Sequence, residues 1–167
     1  MVRVYIPATL AMLQKLVADG SMHARSGTAF AVTPTLRESY AEGDDDELGE
    51  VALREAALAS LRLLAAEGTE VGLPPRRAVL VAEVDDVTAR PDLDDAVVRL
   101  AGPVGIADVV ATYLDNAAAE PAVLAAVEAV DAADLGDEDS EFIVGDAQDH
   151  DLAWYASQEL PFLLELL

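Results

Sequence analysis

His150 is one of two histidines in the chain. It stands between Asp149 and Asp151, four residues after Asp146 and four before Trp154, the only tryptophan. If the stretch from Asp146 to Ala156 is helical, as its pattern suggests, Asp146, His150 and Trp154 share one face, because side chains four apart lie above one another. A carboxylate beside an imidazole raises its basicity and fixes which ring nitrogen carries the proton, which a general base or a metal ligand needs. Asp146, Asp149 and His150 are therefore candidates for metal-assisted hydrolysis, with at least one further ligand required from elsewhere. The competing reading is a surface histidine stacked on Trp154 and surrounded by solubilising acids. Asp146, Asp149, His150 and Trp154 form a candidate surface. No residue is assigned as catalytic, cofactor-binding or metal-ligating, and no cofactor is implied.

That surface lies within Asp131–Trp154, which carries nine carboxylates and no Lys or Arg. The net charge of the chain is −22, and its distribution is lopsided. All ten basic side chains fall in residues 1–99, whereas residues 100–167 hold fifteen acidic side chains and none basic. Such a surface repels phosphate backbones, so nucleic acid is not an expected partner. The reading that follows is a non-enzymatic protein whose acidic C-terminal face binds a basic protein partner or a cation. The alternative is the metal-assisted hydrolase built on Asp146, Asp149 and His150, and a third reading is an acidic mimic of DNA. Asp137-Glu138-Asp139-Ser140-Glu141 has alternating oxygens that resemble the start of a calcium-binding EF-hand loop. Phe142 stands where the loop glycine belongs, and Gln148 where the bidentate glutamate belongs, so the pattern fails.

Several marked chemistries are missing. With no cysteine there are no disulfides, thiolate nucleophiles or Cys-based metal sites. The single lysine, Lys15, has no glycine-rich phosphate loop around it, and Gly102-Pro103-Val104-Gly105 falls short of a dinucleotide fingerprint. None of the six serines sits in a nucleophile elbow, and no H-E-x-x-H occurs. The balance leans away from an enzyme.

The elements that must position these residues follow from pattern and caps. At 167 residues and 53% apolar content, one globular domain with an aliphatic core is expected. Val2–Ile6, Thr28–Val32, Arg77–Val84, Ala96–Leu100 and Val109–Leu114 read as strands. The third is the most continuously apolar and hence central, forming a hairpin with the fourth across a polar Asp85–Asp95 loop. Pro7 is placed in the first turn of a helix closed by Gly20. Thr33-Pro34 opens a short helix, and Asp44 caps a long one that ends at Gly68 and presents Leu48, Val51, Leu58, Leu61 and Leu64 to the core. His23 is placed in a solvated loop. Pro121 opens a helix with Val123, Leu124, Val127 and Val130 on one face, and Asp137–Val144 fits either a helical turn or a loop. Pro161 opens a last helix that is apolar nearly all round, suited to the core or to a subunit interface. The expected fold is α+β or mixed α/β: one domain, about five strands in a mixed sheet with helices packed on it, and a helical C-terminal third. The chain reads as cytoplasmic, a monomer or homodimer with no membrane span.

Several strings resemble a known family. They are Val4-Tyr5-Ile6-Pro7-Ala8-Thr9, Phe30-Ala31-Val32-Thr33-Pro34, Gly136-Asp137-Glu138-Asp139, and Asp149-His150 with Trp154-Tyr155-Ala156 and Gln158-Glu159-Leu160-Pro161. They resemble an actinobacterial family of uncharacterised proteins known as a domain of unknown function, across essentially the whole chain. The resemblance implies a one-domain bacterial cytoplasmic protein, in keeping with nine arginines to one lysine. It carries no activity, ligand or site residue with it.

Overall fold

The computed structural model describes residues 1–40, 42–68 and 72–167. In chain order the described residues form β1 (Val2–Ala8), α1 (Leu10–Asp19), β2 (Ser21–Met22), β3 (Thr28–Phe30), α2 (Pro34–Ser39), α3 (Asp45–Glu67), β4 (Ala78–Val84) and β5 (Val87–Ala89). They continue with β6 (Val97–Leu100), β7 (Val104–Gly105), β8 (Val109–Leu114), α4 (Glu120–Asp134), α5 (Glu138–Gln148), β9 (Ala153–Ala156) and α6 (Leu160–Glu165). Seven strands make one sheet in the order β5-β6-β3-β1-β4-β8-β9, and β2 pairs with β7 in a small second sheet. Every pairing in the large sheet is antiparallel.

Alternation along the strands separates two buried faces. On one, Val4, Ile6, Leu80 and Leu114 meet Leu10, Leu13 and Leu16 of α1 and Leu160 of α6. On the other, Phe30, Val79 and Val97 meet Leu36 of α2 and Leu48, Ala52 and Ala56 of α3. The α4–α5 pair packs on the C-terminal half of α3 through Leu61, Val123, Val130 and Val144. Only Asp85 and Asp86 separate β4 from β5, although four strand spacings lie between them in the sheet. A flat sheet would put those strands ~19 Å apart, and three Cα steps span at most ~11 Å. The sheet therefore curls on itself, and Val84, Val87 and Leu100 pack against the same core.

Helix α3 lies close on the sheet because its buried side is small: Gly49, Ala52, Ala56, Ala57 and Ser60 are all buried. A side-chain carbon added at Gly49 would lie 2.8 Å from the Tyr5 hydroxyl. Ser60 Oγ donates to the Ala8 carbonyl at 2.6 Å and accepts the Ala78 N–H at 3.0 Å, which satisfies the adjoining ends of β1 and β4.

The strand at 78–84 is central, and Asp44 caps α3 as the sequence implies, its carboxylate accepting the Glu47 N–H. His23 is an exposed loop residue. Several expectations need correction. The sheet has seven strands, not five, and is antiparallel, not mixed. The extra strands are short (β5 and β9) and occupy its two edges, where few residues need satisfy the apolar pattern. The expected hairpin of β4 with the 96–100 strand does not form: β4 pairs with β1 and β8, while β6 pairs with β3 and β5. Pro7 belongs to β1, and Thr9 caps α1 by accepting the Met12 N–H. Pro7 lies past the Tyr5–Phe30 pairing with β3, on a stretch of strand where one edge carries no ladder and a missing N–H costs little.

Residues 138–148 are the helix, and 149–156 are not. Ala153–Ala156 instead adds to the edge of β8, so the C-terminal third is helical only in part. The apolar α6 buries only Leu160 fully and leaves Phe162 exposed, as is Leu166 just past its end. Leu124 is likewise exposed, because the buried side of α4 runs through Ala126 and Ala129.

Candidate functional site

The chain change at Gln148 dissolves the face expected from Asp146, His150 and Trp154. Asp146 is exposed near the end of α5, and Asp149 is its C-terminal cap, with its N–H bonded to the Gly145 carbonyl at 3.0 Å. His150 is half-buried in the turn that follows. Trp154 lies on β9, directly across from Tyr113 on β8 and 57% exposed. Asp146 and Asp149 do share a cavity. His150 borders the next one, and Trp154 borders neither. Among the described residues no group of three or more His, Asp or Glu is placed to hold a metal ion, so the ligand set required by the metal-assisted reading is not assembled. The acids at 137–141 have a structural role. Asp137 caps α5 by accepting the Ser140 N–H and hydroxyl, and the rest sit at the positive end of the helix dipole.

The opposite end of α5 is different. Asp146 and Asp149 stand at its negative pole with no basic residue in the last turn. Two carboxylates there cost stability, since the last carbonyls already carry partial negative charge. They open into a cavity of about 580 Å³ lined also by Arg54, Glu138, Glu141 and Phe142.

Two further cavities run along α3. The first, about 650 Å³, is bordered by Arg3 and Tyr5 of β1, Arg37 of α2, Asp46 and Glu50 of α3, and Tyr113 of β8. The second, about 550 Å³, is bordered by Glu47, Glu50, Arg54, Arg77, Tyr113, His150 and Asp151. Because both include Glu50, Leu53 and Tyr113, they form one furrow. Helical spacing explains the wall: 46, 49, 50 and 53 face the first cavity, and 47, 50, 51 and 54 face the second. The floor comes from the sheet, where Tyr5 on β1 and Tyr113 on β8 flank β4; Trp154 on β9 is exposed beside Tyr113, outside the lining of the furrow.

The basic side chains here are mostly engaged. Arg3 pairs with Glu83, and Arg37 with Asp45. Arg77 is 2% exposed and makes a bidentate pair with the equally buried Asp115, at 2.9 Å from Nε and 2.8 Å from Nη2. Its Nη2 also donates to the His150 carbonyl at 2.8 Å, tying the 149–152 turn to the ends of β4 and β8. Thus the contact of His150 with Arg77 is made by its backbone carbonyl. Of the basic side chains bordering these cavities only Arg54 has no ion pair among the described residues, and Asp46, Glu47, Glu50, Asp146, Asp149 and Asp151 have none there either. At the floor, burial pushes the Tyr5 hydroxyl above its ordinary pKa. Tyr113 and Asp46 add to the shift and Arg3 opposes it, so Tyr5 stays a neutral phenol.

Sequence reasoning missed Tyr5, Tyr113, Asp46, Glu50 and Arg77. The consecutive Arg76-Arg77 ahead of the most apolar strand was the one signal for a buried cation. Nothing local marked the tyrosines as neighbours.

Fold and furrow together define an α+β protein with an acidic groove between a long helix and an antiparallel sheet. The chain belongs to the family of unknown function DUF6912, whose model matches residues 2–164. No curated protein and no solved structure matches it. No helix among the described residues is long and apolar enough to cross a membrane.

Proposed function

We propose that this protein acts by binding, and that its partner is a basic protein segment received by the acidic furrow along α3 and the adjoining cavity at the end of α5. One observation carries the reading: carboxylates with no ion pair among the described residues line the furrow and the cavity that meets it at Arg54, two of them against the dipole of α5, where folding alone would favour a lysine or arginine. Groups that oppose stability at a concave surface are better explained by a ligand than by solubility. A positively charged segment relieves that repulsion, and its approach is accelerated by the net charge of −22. The setting we propose is a bacterial cytoplasm, where basic protein segments are available and the lack of cysteine carries no cost.

Titration with an end-capped hexa-arginine peptide, followed by calorimetry at increasing salt, tests the reading. Saturable binding at 50 mM NaCl that weakens at least tenfold by 300 mM supports it. Absence of heat or of saturation at 50 mM NaCl removes it.

A further inference from the structure

Tyr113 and Trp154 are cross-strand neighbours, so their rings project from the same face of the sheet. Tyr5, two strands further on, projects from that face as well and borders the furrow at its other end. Cations are attracted to aromatic faces, and most strongly to tryptophan. Asp46 and Glu50 of α3, one helical turn apart, border the cavity that holds Tyr5 and Tyr113, and Asp151 borders the second cavity with Glu50 and Tyr113. A groove with an aromatic floor and a carboxylate wall selects arginine and lysine side chains over other positive matter, because the floor accepts their planar or methylene surface and the wall their charge.

Resting on the binding function proposed above, we propose that Tyr5 and Tyr113 on the furrow floor, with Trp154 exposed beside Tyr113 where the furrow opens, form a cation-binding surface on which consecutive arginine or lysine side chains of an extended protein segment lie, their charges paired by Asp46, Glu50 and Asp151. The span supports a short segment. Three strand spacings separate β1 from β9, roughly 14 Å, which an extended chain covers in about four residues. Charge complementarity also rules on self-association: a second copy would bring another −22 to the same surface, so the occupant is a basic partner. Arg54 is the exception in the wall. It stands where the furrow meets the α5 cavity, and its charge repels the incoming segment.

Trp154, as the only tryptophan, reports directly on its own occupancy. The probe is end-capped hexa-arginine, with hexaglutamate and a Gly-Ser hexapeptide as controls, read by tryptophan emission and by calorimetry. The expected result is saturable change in Trp154 emission with hexa-arginine alone. Trp154→Ala weakens binding about two- to fivefold, while Trp154→Phe retains most of it. The pair Asp46→Asn with Glu50→Gln weakens binding more than the equal charge change Glu128→Gln with Asp131→Asn on the exposed side of α4, and Arg54→Gln tightens it. Asp46, Glu50, Glu128 and Asp131 are exposed carboxylates, Arg54 is an exposed arginine and Trp154 is exposed on an edge strand, so folding is retained. Binding with no change in emission, or equal weakening by the two carboxylate pairs, overturns the cation floor while leaving the basic-partner function standing. No binding by any readout removes both.

Discussion

Asp115 is expected to be among the costliest single residues to remove, and the structure supplies the size of the loss. Its carboxylate is fully buried and accepts three hydrogen bonds: from Arg77 Nε at 2.9 Å, from Nη2 at 2.8 Å and from the Arg77 backbone N–H at 2.8 Å. Asp115→Ala leaves the guanidinium buried with one remaining partner, the His150 carbonyl. Breaking a buried pair from one side costs about 3–5 kcal/mol, because the surviving charge is stranded. Against a total stability of about 5–15 kcal/mol for a typical domain, that leaves the fold marginal. Arg77→Met should cost a similar amount by stranding the carboxylate. The double variant Arg77→Met with Asp115→Leu strands nothing, so its loss should fall below the sum of the singles by at least ~2 kcal/mol. Urea denaturation followed by far-ultraviolet circular dichroism measures all four corners of the cycle. Arg77→Met should also shift the emission of Trp154, since the 149–152 turn loses its anchor. Single losses that add within ~0.5 kcal/mol, or an Asp115→Ala cost below ~1 kcal/mol, would refute the reasoning.

Three further outcomes follow from other contacts. Gly49→Ala should destabilise by about 1–3 kcal/mol through the clash with the Tyr5 hydroxyl, less up to ~1 kcal/mol of gained helix propensity. In a Tyr5→Phe background the same change should be neutral or stabilising by denaturation, because the next nearest atom is 3.8 Å away. Glu55 has its pKa raised by burial and then by Asp94, so the folded state favours its protonated form and ionisation works against the fold. Glu55→Gln should therefore raise the melting temperature at pH 7, with the gain vanishing as pH falls below the ordinary carboxylate range; an equal gain at pH 4 contradicts this. Asp134 has its pKa lowered, chiefly by its hydrogen bonds from Arg62 at 3.0 and 2.9 Å. That stability is present above the ordinary carboxylate pKa and lost as pH falls through the lowered value. Both side chains are over 40% exposed, so Asp134→Asn should cost only about 0.2–1 kcal/mol at pH 7 and nothing near pH 2.

What could be read from the sequence was the local part. Caps were legible because Thr33, Asp44 and Gly68 act on neighbours within a few residues. The central strand was legible because burial on both faces leaves an almost unbroken apolar run at 78–84. Strand partners were not legible, since β4 finds β1 and β8 at sequence distances that no local pattern encodes. Asp146–Ala156 was misread for a related reason. Its four-residue spacing suited a helix, yet pairing with the edge of β8 wins for Ala153–Ala156, where Trp154 and Tyr155 favour a strand. The acidic character of the last third was plain. Its complement, the α3 wall and the tyrosine floor, depends on the curl and order of the sheet and appears only in three dimensions.

The central claim is that a basic segment occupies the furrow along α3. Its most direct test is the pattern of amide shifts on adding end-capped hexa-arginine to the isotopically labelled protein at 50 mM NaCl. The account predicts shifts concentrated at Asp46–Arg54, Tyr113 and His150–Trp154, with Glu128–Asp131 unmoved. Shifts spread evenly over the acidic surface, or centred on α4, would contradict it.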